Sequence, residues 1–120
     1  MIDFHTHMFP EKIAGKTLRF LSGRCKTAPF TEGTPQGLLS SAKDAGIACC
    51  VALPVVTNPE QFESVNRFAE QYREGPILSF GGIHPENEDY KGKLRYLRDH
   101  GFIGIKLHPE FQHFVLDDRR

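Results

Sequence analysis

Residues Ile47-Ala48-Cys49-Cys50-Val51-Ala52-Leu53-Pro54-Val55-Val56 form a near-continuous apolar run. A strand with one face in water carries a polar residue at every second position. This run has none, so it reads as a strand buried on both faces of a parallel sheet. Three more segments read as strands on either side of it: Ile2 to His7, Ile77 to His84 and Phe102 to His108.

Helical patterns fill the intervals. Thr34-Pro35 is an N-cap followed by a first helical residue. Leu38, Leu39, Ala42 and Ala45 then recur at helical spacing, and Gly46 ends the run. Asn58-Pro59 repeats the same start, with Phe62, Val65, Phe68, Ala69 and Tyr72 as the apolar stripe and Gly75-Pro76 as the stop. A third helix, from about Asn87 to His100, carries Tyr90, Leu94 and Leu97 and closes at Gly101. The order β-α-β-α-β-α-β implies parallel strands joined by right-handed crossovers. The stretch from Met8 to Gly33 departs from this rhythm. It is long and rich in turn residues, with a short helix expected near Glu11 to Leu21, and it reads as an active-site loop spanning 8–33.

Composition narrows the classes of function. The chain has 120 residues, and 15 basic side chains balance 15 acidic ones. No basic patch suggests nucleic acid as a partner. No apolar run approaches membrane-spanning length. The three cysteines are Cys25, Cys49 and Cys50. They are too few and too irregularly spaced for a disulfide framework, and with the lack of a secretory signal they lead to an expectation of a reducing cytoplasm.

The chemistry-bearing residues fall at strand ends. Alternation places Asp3, His5 and His7 on one face of the first strand, so two imidazoles converge one pleat apart. The third strand ends Gly81-Gly82-Ile83-His84-Pro85-Glu86. The fourth reads Gly104-Ile105-Lys106-Leu107-His108-Pro109-Glu110. There Ile103, Ile105 and Leu107 share a face expected to pack on helices, and Gly104, Lys106 and His108 share the other. Ligands of parallel α/β proteins bind at the C-terminal ends of the strands. A lysine inside an apolar strand is rarely buried without a partner.

Asp3-Phe4-His5-Thr6-His7 resembles the first-strand His-x-His motif of the metal-dependent amidohydrolase superfamily. Gly104-Ile105-Lys106-Leu107-His108-Pro109 with Gln112 is similar to the fourth strand of its amidohydrolase-related branch, which includes aminocarboxymuconate-semialdehyde-decarboxylase-like enzymes. Gly82-Ile83-His84-Pro85 is similar to the third strand of that branch and of TatD-type hydrolases. The resemblance runs along the whole chain, in the right order and at the right spacing.

The resemblance implies an α/β fold, a (β/α)8 TIM barrel of which this chain supplies about the first four β/α units. Such a barrel needs roughly 250 residues. The expectation is therefore that residues 1–120 are the N-terminal half of a single barrel domain of a longer enzyme. His5 and His7 are the implied metal ligands. The cofactor is a divalent metal, zinc first, with manganese, iron and cobalt as alternatives. Lys106 and His108 are the candidate catalytic residues, and His84 is the candidate substrate-binding residue. The expected activity is hydrolysis of a small molecule by a metal-activated water, with non-oxidative decarboxylation as the variant chemistry. The alternatives are a non-catalytic open α/β module that binds a ligand or partner, and a half-barrel that assembles with a second copy or another chain. No nucleic acid or membrane partner is expected.

Overall fold

A computed structural model describes residues 1–119. Asp117-Asp118-Arg119-Arg120, which reads in the sequence as a loop before a further helix, lies partly outside the described residues. The elements are β1 (Ile2–Thr6), α1 (Glu11–Cys25), α2 (Pro35–Asp44), β2 (Cys49–Ala52), a 3-10 turn (Pro59–Gln61), α3 (Phe62–Ala69), β3 (Ile77–Ser79), β4 (Gly81–Gly82), α4 (Tyr90–Asp99), β5 (Ile105–Lys106) and α5 (Pro109–Gln112). Two compact units share them. One comprises Met1–Ala52 with Glu74–Leu78, and the other Leu53–Arg73 with Ser79 onward.

The local start and stop chemistry follows the residues. Thr34 caps α2 by accepting the Gly37 amide at 3.1 Å, with Pro35 in the first turn where its missing N–H costs nothing. Asn58 caps the 3-10 turn by accepting the Glu60 amide at 2.9 Å. Asp89 caps α4 through the Gly92 amide at 3.0 Å. Gly46 and Gly101 follow the C-caps of α2 and α4 with φ of +66° and +79°, conformations that favour glycine and end those helices. Helix α3 already ends at Ala69, short of the stop expected at Gly75.

The first unit is built on a sheet ordered β1-β2-β3, in which β1 and β2 run parallel. Its core includes Cys50, Val51, Ala52 and Ile77, with Ala14 of α1 and Ala42 of α2. The Thr6 hydroxyl, also buried, donates to the Val51 carbonyl at 2.8 Å. Helix α1 is longer than the short helix expected from sequence. The Phe9 amide donates to the Gly33 carbonyl at 2.8 Å, so the excursion that carries α1 leaves and returns at one point.

The second unit is built on the parallel pair β4-β5, with Gly81 opposite Ile105 and Gly82 opposite Lys106. Phe62, Ile83 and Leu97 form its core cluster, and Phe102 and Leu107 pack against it. Full burial of a side chain such as Leu97 contributes about 2 kcal/mol.

The partial TIM barrel expected from sequence does not form. Among the described residues, the four long parallel strands expected in one sheet are replaced by five strands of two to five residues in two small sheets. The reason lies in the third expected strand, Ile77 to His84. Its ladder ends at Ser79, whose amide turns to the Tyr72 carbonyl at 2.7 Å. Pairing resumes at Gly81, whose amide donates to the Gly104 carbonyl at 2.9 Å, and now belongs to the second sheet. The expected strand Ile47 to Val56 contracts to β2, and Phe102 to His108 contracts to β5. Ile103 and Ile105, expected to face helices, are 72% and 43% exposed, and only Leu107 of that face packs inward.

Candidate functional site

The first unit carries His5 and His7 at the C-terminal end of β1. Pairing with β2 runs Asp3 to Cys50 and then Thr6 to Ala52, three steps on β1 against two on β2. The extra residue makes a bulge, and bulges re-aim the side chains around them. Simple alternation is therefore too coarse here, and Ile2 and Phe4 are exposed as well. The two imidazoles nevertheless meet. Their ring centroids lie 5.1 Å apart at an interplanar angle of 72°, and both residues are exposed. Thr6 and Met8, the residues that alternate with them, are buried and fix the backbone beneath. The Asp3 carboxylate accepts the His5 amide at 3.1 Å, which holds the carboxylate to the local backbone.

Two imidazole nitrogens suit two coordination positions of zinc or a similar divalent ion, and a protein site usually supplies three or four. Among the described residues no group of three or more histidine, cysteine, aspartate or glutamate side chains is arranged to hold a metal ion. The donor set thus fits part of a coordination sphere, with His5 and His7 as its two members.

The excursion closed by Phe9 and Gly33 carries an open groove of about 690 Å³. Ala14, Leu18 and Arg19 line it from one face of α1, and Ala28, Pro29 and Glu32 line it from the returning loop. The volume and the mix of apolar walls with a few charged groups suit a small molecule. Leu18 closes one side so tightly that a Cβ on Gly33 would stand 3.0 Å from its Cδ1.

On β2, burial pushes the Cys50 thiol up from its usual range, with the Asp3 carboxylate and Cys49 adding to the effect. A protonated buried thiol behaves as a small apolar side chain rather than as a nucleophile.

The second unit carries His84, Lys106 and His108. His84 is buried, and its Nδ1 accepts the Glu86 amide at 3.2 Å. An Nδ1 that accepts must lack a proton, so the neutral ring carries its proton on Nε2. In that tautomer Nε2 is a hydrogen-bond donor. Its own amide donates to Asn87 Oδ1 at 3.0 Å, and Asn87 Nδ2 donates to the Pro59 carbonyl at 3.0 Å. Lys106 lies on β5 and is half-buried. His108 is half-buried at the start of α5, with its Nδ1 atom buried and its ring 4.4 Å from that of Phe111.

Three buried amides hold these strand ends, and of them sequence reading singled out only Gln112, as part of the strand-four motif. Asn66 accepts the Gly82 amide and donates to the Gly82 carbonyl, both at 2.8 Å. Asn87 holds His84, and Gln112 holds His108 by accepting its amide at 2.7 Å. The one signal for Asn66 is its phase: it falls between Phe62 and Ala69 on the buried stripe of α3.

Among the described residues no helix is long and apolar enough to cross a membrane. Comparison with protein-family models, with curated proteins and with solved structures found no match to this chain.

Proposed function

We propose that this chain belongs to a metal-dependent hydrolase of the amidohydrolase type, acting on a small molecule, with His5 and His7 as metal ligands. The observation that carries the reading is the 5.1 Å approach of two exposed imidazoles at the end of a parallel strand. The motif resemblance on three strand ends supports it. A divalent metal held there supplies Lewis acidity that makes a water molecule nucleophilic at neutral pH.

The chain's own residues do the rest. The groove beside α1 binds the apolar part of the substrate on Ala14, Leu18 and Pro29, and Arg19 attracts an anionic group. In the second unit, the strand-end resemblance makes His84, past β4, the candidate substrate contact and Lys106 and His108, on and past β5, the candidate polar groups.

Hydrolysis of p-nitrophenyl acetate tests this reading. The zinc-loaded chain should exceed the chelator-treated chain in rate, and the His5→Ala/His7→Ala double variant should match the chelator-treated one. Equal rates in all three would contradict it.

A second reading is a non-catalytic α/β binding module. It draws on one observation, the openness of both sheets, β1-β2-β3 and β4-β5. A metal-independent ligand in the α1 groove with no hydrolysis would favour it.

A further inference from the structure

Two segments of the second unit are near repeats: Ile83-His84-Pro85-Glu86 and Leu107-His108-Pro109-Glu110. They follow β4 and β5, which pair in parallel with Gly82 opposite Lys106. Two residues past each member of that pair stands a histidine. One side chain ties the two tips together. Gln112 is only 2% exposed, and its Oε1 accepts the His108 amide at 2.7 Å. Its Nε2 donates to the carbonyls of Ile83 and Val56, each at 2.8 Å. The oxygen and both amide protons are thus engaged, and two of the three bonds fall on backbone atoms at or next to a candidate histidine.

We infer that Gln112 is a positioning residue that sets His84 and His108 relative to each other at the ends of β4 and β5. Any buried amide needs partners, but here two of the three lie on the backbone at His108 and beside His84, past β5 and β4. The fork of a primary amide suits the task. Its oxygen holds one strand end, its nitrogen holds the other, and the planar group fixes the distance between them. The inference rests on the reading of His84 and His108 as substrate-contacting side chains, and does not involve the metal pair at His5 and His7.

The test is the rate at which each histidine of the full chain reacts with diethyl pyrocarbonate, resolved by peptide mass spectrometry. Gln112→Met keeps the length and removes all three bonds. It should raise the rates of both His84 and His108 by about fivefold, the effect of one weakened local closure. His5, His7 and His113 should keep their rates. Gln112→Glu keeps the acceptor for the His108 amide and loses the donors, so His84 should accelerate more than His108. Leu97→Ala, a core truncation in the same unit, is the control for general loosening.

Unchanged His84 and His108 in Gln112→Met would overturn the inference, as would an equal acceleration in Leu97→Ala. If Gln112→Met does not fold, Gln112→Glu decides alone: unequal acceleration supports positioning, and equal rates refute it. Loss of hydrolysis in the His5 and His7 variants is a separate result. It bears on the metal reading and leaves these rates untouched.

Discussion

The side-chain amide of Asn66 straddles the backbone of Gly82, accepting its N–H and donating to its carbonyl, each at 2.8 Å. A third bond runs from Nδ2 to the Phe62 carbonyl at 2.7 Å, within α3. Asn66 is fully buried, so water does not replace a lost partner. Asn66→Leu should therefore lower stability by about 3 kcal/mol, because it leaves both polar groups of Gly82 unsatisfied. The measurement is a urea unfolding curve, with a lower midpoint and an unchanged slope.

Gly82 is constrained from its other side as well. A Cβ there would stand 2.5 Å from Val56 Cγ2 and 3.3 Å from Val65 Cγ1. Gly82→Ala should cost about 2 kcal/mol by overpacking. Truncating the obstacle, Val56→Ala, in the alanine background should cost less than the same truncation in the native chain. Strict additivity in that double-mutant cycle would show that the two side chains do not collide.

The Tyr96 hydroxyl donates to Glu70 Oε1 at 2.9 Å, and this bond first, then burial, raises the phenol above its usual value of 10.0. The folded state holds the proton more tightly than the unfolded state. The stabilisation is therefore complete below the ordinary tyrosine range and is lost as pH rises through the raised folded value. Glu70→Ala should bring one tyrosine transition, followed by absorbance at 295 nm, down in pH. A titration identical to the native one would show that the bond does not bias the phenol.

Cys25 is exposed, while Cys50 is buried and its thiol is held protonated by burial and by Asp3. Ellman's reagent at mildly alkaline pH should modify Cys25 rapidly and reach Cys50 only on unfolding. Rapid reaction of a Cys25→Ser chain at Cys50 would contradict the burial.

Helix starts and stops were legible because their chemistry is local. Thr34-Pro35, Asn58-Pro59 and the glycines at 46 and 101 act through bonds to neighbours a few residues away, whereas α3 ends at Ala69, before the stop expected at Gly75. The break at Phe80 was not legible. Residues 77–83 read as one strand apart from Gly81-Gly82, and what ends the first ladder is the Tyr72 carbonyl that takes the Ser79 amide. That one diversion separates β3 from β4 and removes the basis for a barrel.

The candidate site was legible to a similar depth. Spacing placed His5 and His7 together even though a bulge interrupts the alternation used to infer it. It could not show that the His84 Nδ1 is an acceptor, because that depends on how the Glu86 amide turns back. Nor could it show the roles of Asn66 and Asn87, since a single polar residue within or beside an apolar stripe leaves no periodic signal.

Isothermal titration of the metal-free chain with zinc tests whether His5 and His7 hold one metal ion together. One zinc should bind per chain, with each single alanine variant weakened by about tenfold or more and the double variant silent. Zinc binding of native strength in the His5→Ala/His7→Ala chain would contradict that pairing.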